Sequence, residues 1–249
     1  MADAWRISEE PVERTGAPVT GNPSPGPAPE SGSVMFAGDS RLEGVLEWPE
    51  EGPVRGGVVV AHPHPLHGGT MGQPVVYRCA QASRGRGFAT LRFNFRGVGR
   101  SEGAYSGRDE YRDVEAASAY LRSRMNAAPG STPGHELPLA AAGYSFGSVM
   151  AAVSAKTIMP DVLVLVGFAV ESDLFPRAAL ERLRMFPNPV LAVCGERDDL
   201  APPEVVRAAL AGLNVDFSLI VIEGTGHFFE GRQREVGEAV ASFIAESLK

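Results

Sequence analysis

From Val34 onward the chain alternates short, β-branched apolar runs with longer amphipathic ones. The short runs, Leu42–Trp48, Gly57–His62, Phe88–Asn94, Leu137–Gly143, Asp161–Phe168, Pro189–Gly195 and Phe217–Glu223, have the length of strands. Several are apolar without a break, as in Gly57-Val58-Val59-Val60-Ala61. A strand with one wet face shows a polar residue at every second position, so an unbroken run marks a strand covered on both faces, as in a parallel sheet flanked by helices. Between these runs, Gln73–Arg84, Arg108–Met125, Phe146–Thr157, Pro203–Leu213 and Gln233–Leu248 read as helices. In the second, Tyr111, Val114, Ala117, Leu121 and Met125 recur at helical spacing with Arg and Glu between them. The alternation suits βαβ crossovers, and the early strands, which precede any helix, are expected to form an antiparallel edge. A closed (β/α)₈ barrel and an open doubly wound sheet both fit the pattern.

Composition adds a boundary at the front of the chain. The 29 Gly and 20 Pro make up roughly a fifth of the 249 residues, against an average usage of about 12%. Many fall between Pro11 and Ser33, a stretch with almost nothing to bury, which cannot offset its ordering entropy and is expected to be a mobile arm. Residues 1–33 are therefore set apart from a single α/β domain over 34–249.

Charge and cysteine usage narrow the setting. There are 23 basic and 30 acidic side chains, a net charge of −7, with no basic block, which argues against a nucleic-acid or anionic-membrane footprint. Cys79 and Cys194 are too few and too far apart for a disulfide framework or a metal pair, so a reduced, cytoplasmic setting is expected. Met1 to Gly32 lacks the pattern of a secretory signal, and no stretch is apolar over the ~20 residues of a membrane span. Oligomeric state leaves no mark on the sequence.

The sharpest chemical signal is Gly143-Tyr144-Ser145-Phe146-Gly147, between an apolar strand and a helix. A serine on such a turn has its Oγ lifted above the strand end, and small flanking residues are needed where chain passes close to chain. A serine hydroxyl is a poor nucleophile until a base takes its proton. His227, in the loop after the last apolar strand, is the candidate base. The orienting acid should come from Gly195-Glu196-Arg197-Asp198-Asp199, in a loop on the same sheet edge. An imidazole base must begin neutral, so activity should fall as acid protonates it.

With nucleophile, acid and base in the order Ser, Asp, His, the chain resembles the α/β-hydrolase superfamily from about Val34 onward. The acid loop of that superfamily, G-x-x-D followed by an apolar-Pro step, maps onto Gly195, Asp198 and Ala201-Pro202. This prefers Asp198 to Asp199, with Glu171 and Asp173 as fallbacks after the preceding strand. His62-Pro63-His64-Pro65-Leu66-His67-Gly68-Gly69-Thr70-Met71 resembles the H-P-H-P-x-x-G-G-x-M loop of compact, cap-less serine hydrolases, a dienelactone-hydrolase-like and esterase-like group. In that fold one oxyanion-hole amide follows the nucleophile, here Phe146, and the other comes from this loop. Pro63 and Pro65 have no N–H, which leaves His64 or Leu66, with His64 preferred. Arg92-Phe93-Asn94-Phe95-Arg96-Gly97-Val98-Gly99-Arg100-Ser101 resembles the D-x-R-G-x-G-x-S turn of these hydrolases, with Asn94 in place of Asp; it is read as structural support, since the lysine of a phosphate loop is missing.

The resemblance implies a serine hydrolase of small-molecule carboxylic esters or thioesters, with no cofactor. The histidines 62, 64 and 67 could suggest a metal, but no carboxylate or thiolate accompanies them locally, and no metal is expected. Only 20 residues separate the apolar runs 161–168 and 189–195, too few for a cap domain, so an open site is expected. Tyr144, Phe168 and Phe228 are candidates for its apolar wall, with Phe175, Met185, Phe186 and Phe229 beside them. Peptidase or aminoacyl-amide hydrolysis, lactone opening and an idle binding scaffold are the alternatives; no acidic cluster is placed to hold a peptide amine, and dienelactone hydrolases usually carry a Cys nucleophile.

Overall fold

The computed structural model describes residues 31–128, 134, 136–170 and 180–249. Most of the expected arm lies outside them, as do Glu171, Asp173 and Phe175. Eight strands, β1 (Gly32–Ala37), β2 (Arg41–Glu47), β3 (Gly56–Ala61), β4 (Phe88–Phe93), β5 (Leu139–Tyr144), β6 (Val162–Val166), β7 (Val190–Gly195) and β8 (Phe217–Ile222), form one open sheet in the order β1-β2-β4-β3-β5-β6-β7-β8. The barrel alternative is thereby excluded. β1 pairs antiparallel with β2 and β2 antiparallel with β4; every other pair is parallel. The antiparallel edge is N-terminal, as expected, but it consists of β1, which is not among the expected strands, and β2, while β3, which also precedes any helix, pairs only in parallel. β1 begins two residues inside the segment assigned to the arm. Ser31 Oγ accepts the Trp48 N–H at 2.9 Å just before it.

The described α-helices are α1 (Pro74–Arg84), α2 (Tyr111–Asn126), α3 (Phe146–Ile158), α4 (Pro203–Gly212) and α5 (Gln233–Ser247). The unbroken apolar run of β3 is divided between two cores. Val59 and Ala61 face a cluster that includes Val114 and Leu121 of α2, Val149 of α3 and Leu210 of α4. Val58 and Val60 face a second cluster with Val75 and Val76 of α1 and Val236, Val240 and Ile244 of α5. Strand residues alternate between faces, so a core on each side demands an apolar residue at every position. α1 and α5 pack closely at Gly237, where an added Cβ would lie 2.6 Å from the Arg78 carbonyl oxygen.

Helix α2 starts three residues later than its periodicity predicts. Ser106 Oγ accepts the N–H groups of Arg108 and Asp109, and the buried Glu110 carboxylate accepts the Ser106 N–H and hydroxyl. These side-chain bonds offer the backbone a turn in place of helix. β6 stops short of Phe168 because Gly167 turns the chain at φ 54°.

Two buried polar groups fasten the turns above the sheet. Arg96, in the turn after β4, donates through Nη2 to Asp113 Oδ1 at 2.6 Å and through its backbone N–H to Asp113 Oδ2 at 2.9 Å, which ties that turn to α2. The hydrogen bond to Asp113 raises the Arg96 pKa above its usual range. His62, at the end of β3, has both ring nitrogens engaged by backbone. Nε2 accepts the Phe95 N–H at 3.1 Å, so the proton is on Nδ1, which donates to the Pro63 carbonyl at 2.6 Å. Neither nitrogen is left for a metal. Burial lowers the pKa of His62 to about 4.

Replacing Asp113 by Ala leaves the Arg96 guanidinium without its buried partner and should lower unfolding stability by about 3–5 kcal/mol in denaturant titrations. The His62 shift has its own signature. Its folded pKa lies below its unfolded value, so the stability it contributes is present above about pH 6.5 and is lost as pH falls towards 4, amounting to about 3 kcal/mol. Unfolding free energies at the two pH values should differ by that much less in His62→Gln than in the natural sequence.

Candidate active site

The site is built where β3, β5, β7 and β8 end on one edge of the sheet. β5 runs through Gly143 and Tyr144 into Ser145, whose backbone is held at φ 51°, ψ −118°, a strained conformation for a side-chain-bearing residue. The sharpness of the turn dictates its glycines. A Cβ on Gly143 would lie 2.1 Å from the Gly147 carbonyl oxygen, and one on Gly147 would lie 2.4 Å from the Ala61 carbonyl oxygen. The Ser145 N–H donates to the Val166 carbonyl at 2.8 Å, which pins the turn to β6. The Ser148 hydroxyl donates to the Ser145 carbonyl at 2.6 Å, satisfying it within the first turn of α3.

His227 reaches this serine from the loop after β8, with Nε2 2.9 Å from Ser145 Oγ. Its Nδ1 is 2.9 Å and 3.0 Å from the two carboxylate oxygens of Asp198. A carboxylate only accepts, so Nδ1 carries the proton and Nε2 is left to accept from the serine hydroxyl. Asp198 is oriented in turn by the N–H groups of Leu200 and Ala201, which donate to its Oδ1 at 3.0 and 2.8 Å. Asp198 and His227 are only 3% and 5% exposed. The acid and histidine loops meet backbone to backbone: a Cβ on Gly195 would lie 2.4 Å from the Gly226 carbonyl oxygen.

Ser145, Asp198 and His227 thus form one hydrogen-bonded chain, and Asp199 stands outside it. Ser145 and His227 open on a cleft of about 460 Å³. Tyr144, Phe146, Val149, Ala169, Leu200 and Phe228 give it apolar lining, with Pro63, His64, His67 and Gln73 also at its surface. Leu200 and Phe228 are 54% and 64% exposed. The Tyr144 hydroxyl, however, donates to the His227 carbonyl at 3.0 Å, so this residue also secures the histidine loop. Phe168, expected in the cleft wall, is instead 0% exposed in the core formed by α2, α3 and α4 and contributes nothing to the cleft. The turn that ends β6 at Gly167 sends its ring inward.

The loop after β3 lies along the cleft, with Pro65–His67 forming one 3₁₀ turn. Gly69 closes this loop on itself, since a Cβ there would sit 2.0 Å from the Pro63 carbonyl oxygen. Asn94 holds its far end, accepting the Met71 N–H at 2.9 Å through Oδ1 and donating through Nδ2 to Glu43 at 2.9 Å. An Asp here would bring a second carboxylate against Glu43, which accounts for Asn at this position. Of the two amides that the sequence leaves open in the Pro63–Leu66 stretch, the Leu66 N–H donates to His64 Nδ1 at 3.2 Å. The N–H groups of His64 and Phe146 have no hydrogen-bond partner among the described residues.

Both cysteines are buried, and burial raises each thiol pKa to about 12, which leaves no thiolate to act as a nucleophile near neutrality. Among the described residues no helix is long and apolar enough to cross a membrane.

Comparison with known proteins agrees with this architecture. Residues 55–248 match the family model described as an alpha/beta hydrolase domain. An alpha-beta serine hydrolase homologue from Coxiella burnetii superposes with a TM-score of 0.74 at 30% identity, covering 85% of this chain and 96% of that one. A lid-less α/β serine hydrolase from Xanthomonas campestris gives 0.72 at 25% identity, covering 87% and 94%. An uncharacterized protein of Rickettsia prowazekii is 27% identical over 194 residues, 75% of this chain and 77% of the relative. The chain belongs to the alpha/beta hydrolase family.

Proposed function

We propose that the protein is a serine hydrolase that cleaves small-molecule carboxylic esters or thioesters of small acyl groups through an acyl-enzyme intermediate. The observation that carries this reading is the unbroken chain of hydrogen bonds from Asp198 through His227 to Ser145 Oγ at the surface of an apolar cleft. Ser145 Oγ attacks the substrate carbonyl carbon while its proton passes to His227 Nε2. The tetrahedral intermediate then collapses, the C–O or C–S bond to the leaving group breaks, and His227 returns the proton to the departing alcohol or thiol. Water repeats the sequence on the acyl-enzyme and regenerates the serine with release of the acid. Asp198 keeps the imidazole in the required tautomer and stabilises the imidazolium that forms twice per turnover.

The unpartnered amides of Phe146 and His64 support an oxyanion hole at the same place, and the Phe146 amide also has the favourable partial charge of a helix N-terminus. No cofactor enters any step. The cleft volume falls within the range of sites that enclose small molecules, ~300–1,000 Å³, and its wall offers an acyl chain mostly carbon to touch.

A fluorophosphonate probe should label the natural sequence and fail to label Ser145→Ala, whose ester hydrolysis should fall by about 10⁶-fold. Labelling that survives in Ser145→Ala, or a natural sequence that takes up no label, overturns the reading in favour of another nucleophile or of a binding scaffold. Across p-nitrophenyl esters of increasing acyl length, kcat/KM should rise while the chain still fits the cleft and then fall.

A further inference from the structure

We propose that Tyr105 is a positioning residue for this site: by accepting a hydrogen bond from the His64 ring, it holds that ring where Nδ1 consumes the Leu66 amide and leaves the His64 amide as the free donor of the Pro63–Leu66 stretch. This rests on the hydrolase reading above.

The assignment follows from counting donors. His64 Nδ1 lies 3.2 Å from the Leu66 nitrogen, which carries a hydrogen, so Nδ1 must present its lone pair. The proton of the neutral ring is then on Nε2, and the Tyr105 oxygen, 2.8 Å away, is its acceptor. Were the proton on Nδ1 instead, two N–H groups would face each other, the Leu66 amide would be released, and the 3₁₀ turn would lose its cap. Pro63 and Pro65 supply no N–H, so the choice between the two remaining amides of this stretch is made by a side chain. Burial, with the neighbouring charge of His67, lowers the His64 pKa against the opposing pull of Glu110 and favours the neutral ring.

Tyr105 is equipped to act as a fixed point. Ser106, the next residue, donates its N–H and hydroxyl to the buried Glu110 carboxylate at 2.6 and 3.1 Å, which clamps the loop to the start of α2. The rings of His64 and Tyr105 also lie 5.1 and 5.8 Å from that of Phe146, whose amide is the other unpartnered donor. The two amides are thus held together from behind by one aromatic cluster, and a shift of His64 changes their relative position.

Tyr105→Phe removes the acceptor and keeps the ring. We expect kcat to fall on the order of 10- to 100-fold with KM within about twofold, since a misplaced oxyanion donor weakens the transition state and not the ground state. Affinity for a trifluoromethyl ketone, which forms the tetrahedral adduct, should fall by the same factor, with the melting temperature little changed. Nitrogen-15 NMR of the natural sequence should report His64 as the Nε2–H tautomer, and in the variant an Nε2–H that has lost its acceptor, seen as an upfield shift of that proton. The natural-sequence measurement reads out even where the variant folds poorly. A natural sequence with His64 protonated on Nδ1, or a Tyr105→Phe variant with unaltered kcat and inhibitor affinity, overturns the proposal while fluorophosphonate labelling still upholds the hydrolase. Absence of labelling in the natural sequence overturns both.

Discussion

The first turn of α3 lies against the end of β3 with no room for a side chain between them. The Gly147 backbone stands where any Cβ would be 2.4 Å from the Ala61 carbonyl oxygen and 2.6 Å from that of His62. Because β3 and β5 are neighbours in register, with Ala61 opposite Gly143, this contact joins the serine turn to the loop that follows β3. The two unpartnered amides, one on each segment, can then line the same cleft. A matching contact, Gly195 against the Gly226 carbonyl, sets the acid loop against the histidine loop on the other side. Four loops are thereby fixed by two places where backbone touches backbone, and the 2.9 Å links to His227 depend on both.

What the glycines bring close, buried hydrogen bonds keep in place. His62 holds the Phe95 amide, Asn94 holds the Met71 amide, Asp113 holds Arg96, and Glu110 holds Ser106. Each joins the loop region to a residue distant in sequence or to the next helix, and each would leave a buried polar group unpaired if its loop moved. The cost of such a group, about 1–3 kcal/mol, is large against the small energies that distinguish loop conformers. The histidine side is braced in the same manner. Two backbone amides aim Asp198, and the Tyr144 hydroxyl, carried on the serine's own strand, grips the His227 carbonyl. In this way the strained serine and the histidine that meets it are tied to one piece of chain.

The elements legible in the sequence are those whose signal is local. Unbroken apolar runs locate the central strands to within a few residues because a core on both faces leaves its mark at every position, whereas the edge strand β1 has no such run and is not legible. The glycines around Ser145 and Gly195 stand out because close approach of backbones excludes every other residue. Signals that depend on partners far along the chain were not legible. Tyr105 lies in a stretch with no periodicity, and its bond to His64 spans 41 residues. Which of the His64 and Leu66 amides is left without a partner is not readable from proline positions alone, because it turns on the bond to the His64 side chain. The place of Phe168 is not legible because an apolar residue at a strand end reads alike whether it faces the cleft or the core, and the turn at Gly167 decides which. Helix α2 begins later than its periodicity implies for a related reason: the bonds of Ser106 and Glu110 override the propensity of the residues between them.

The exposure of Leu200 and Phe228 follows from the same geometry. Leu200 donates one of the amides that hold Asp198, and Phe228 directly follows His227, so both are carried to the surface by residues whose own positions are fixed. With only 20 residues between the apolar runs 161–168 and 189–195, the chain has no length for a cap of helices above them. An enzyme that closes over its substrate can leave its polar groups wet until closure. Here the desolvation is built into the wall, with Asp198 and His227 almost wholly covered while the apolar rim beside them stays open. In such an arrangement the pairing of Asp198 and His227 is set in the free protein. On the proposed hydrolase reading, the apolar part of the substrate would complete the exclusion of water, and a substrate too small to cover Leu200 and Phe228 would leave its reacting carbonyl partly solvated.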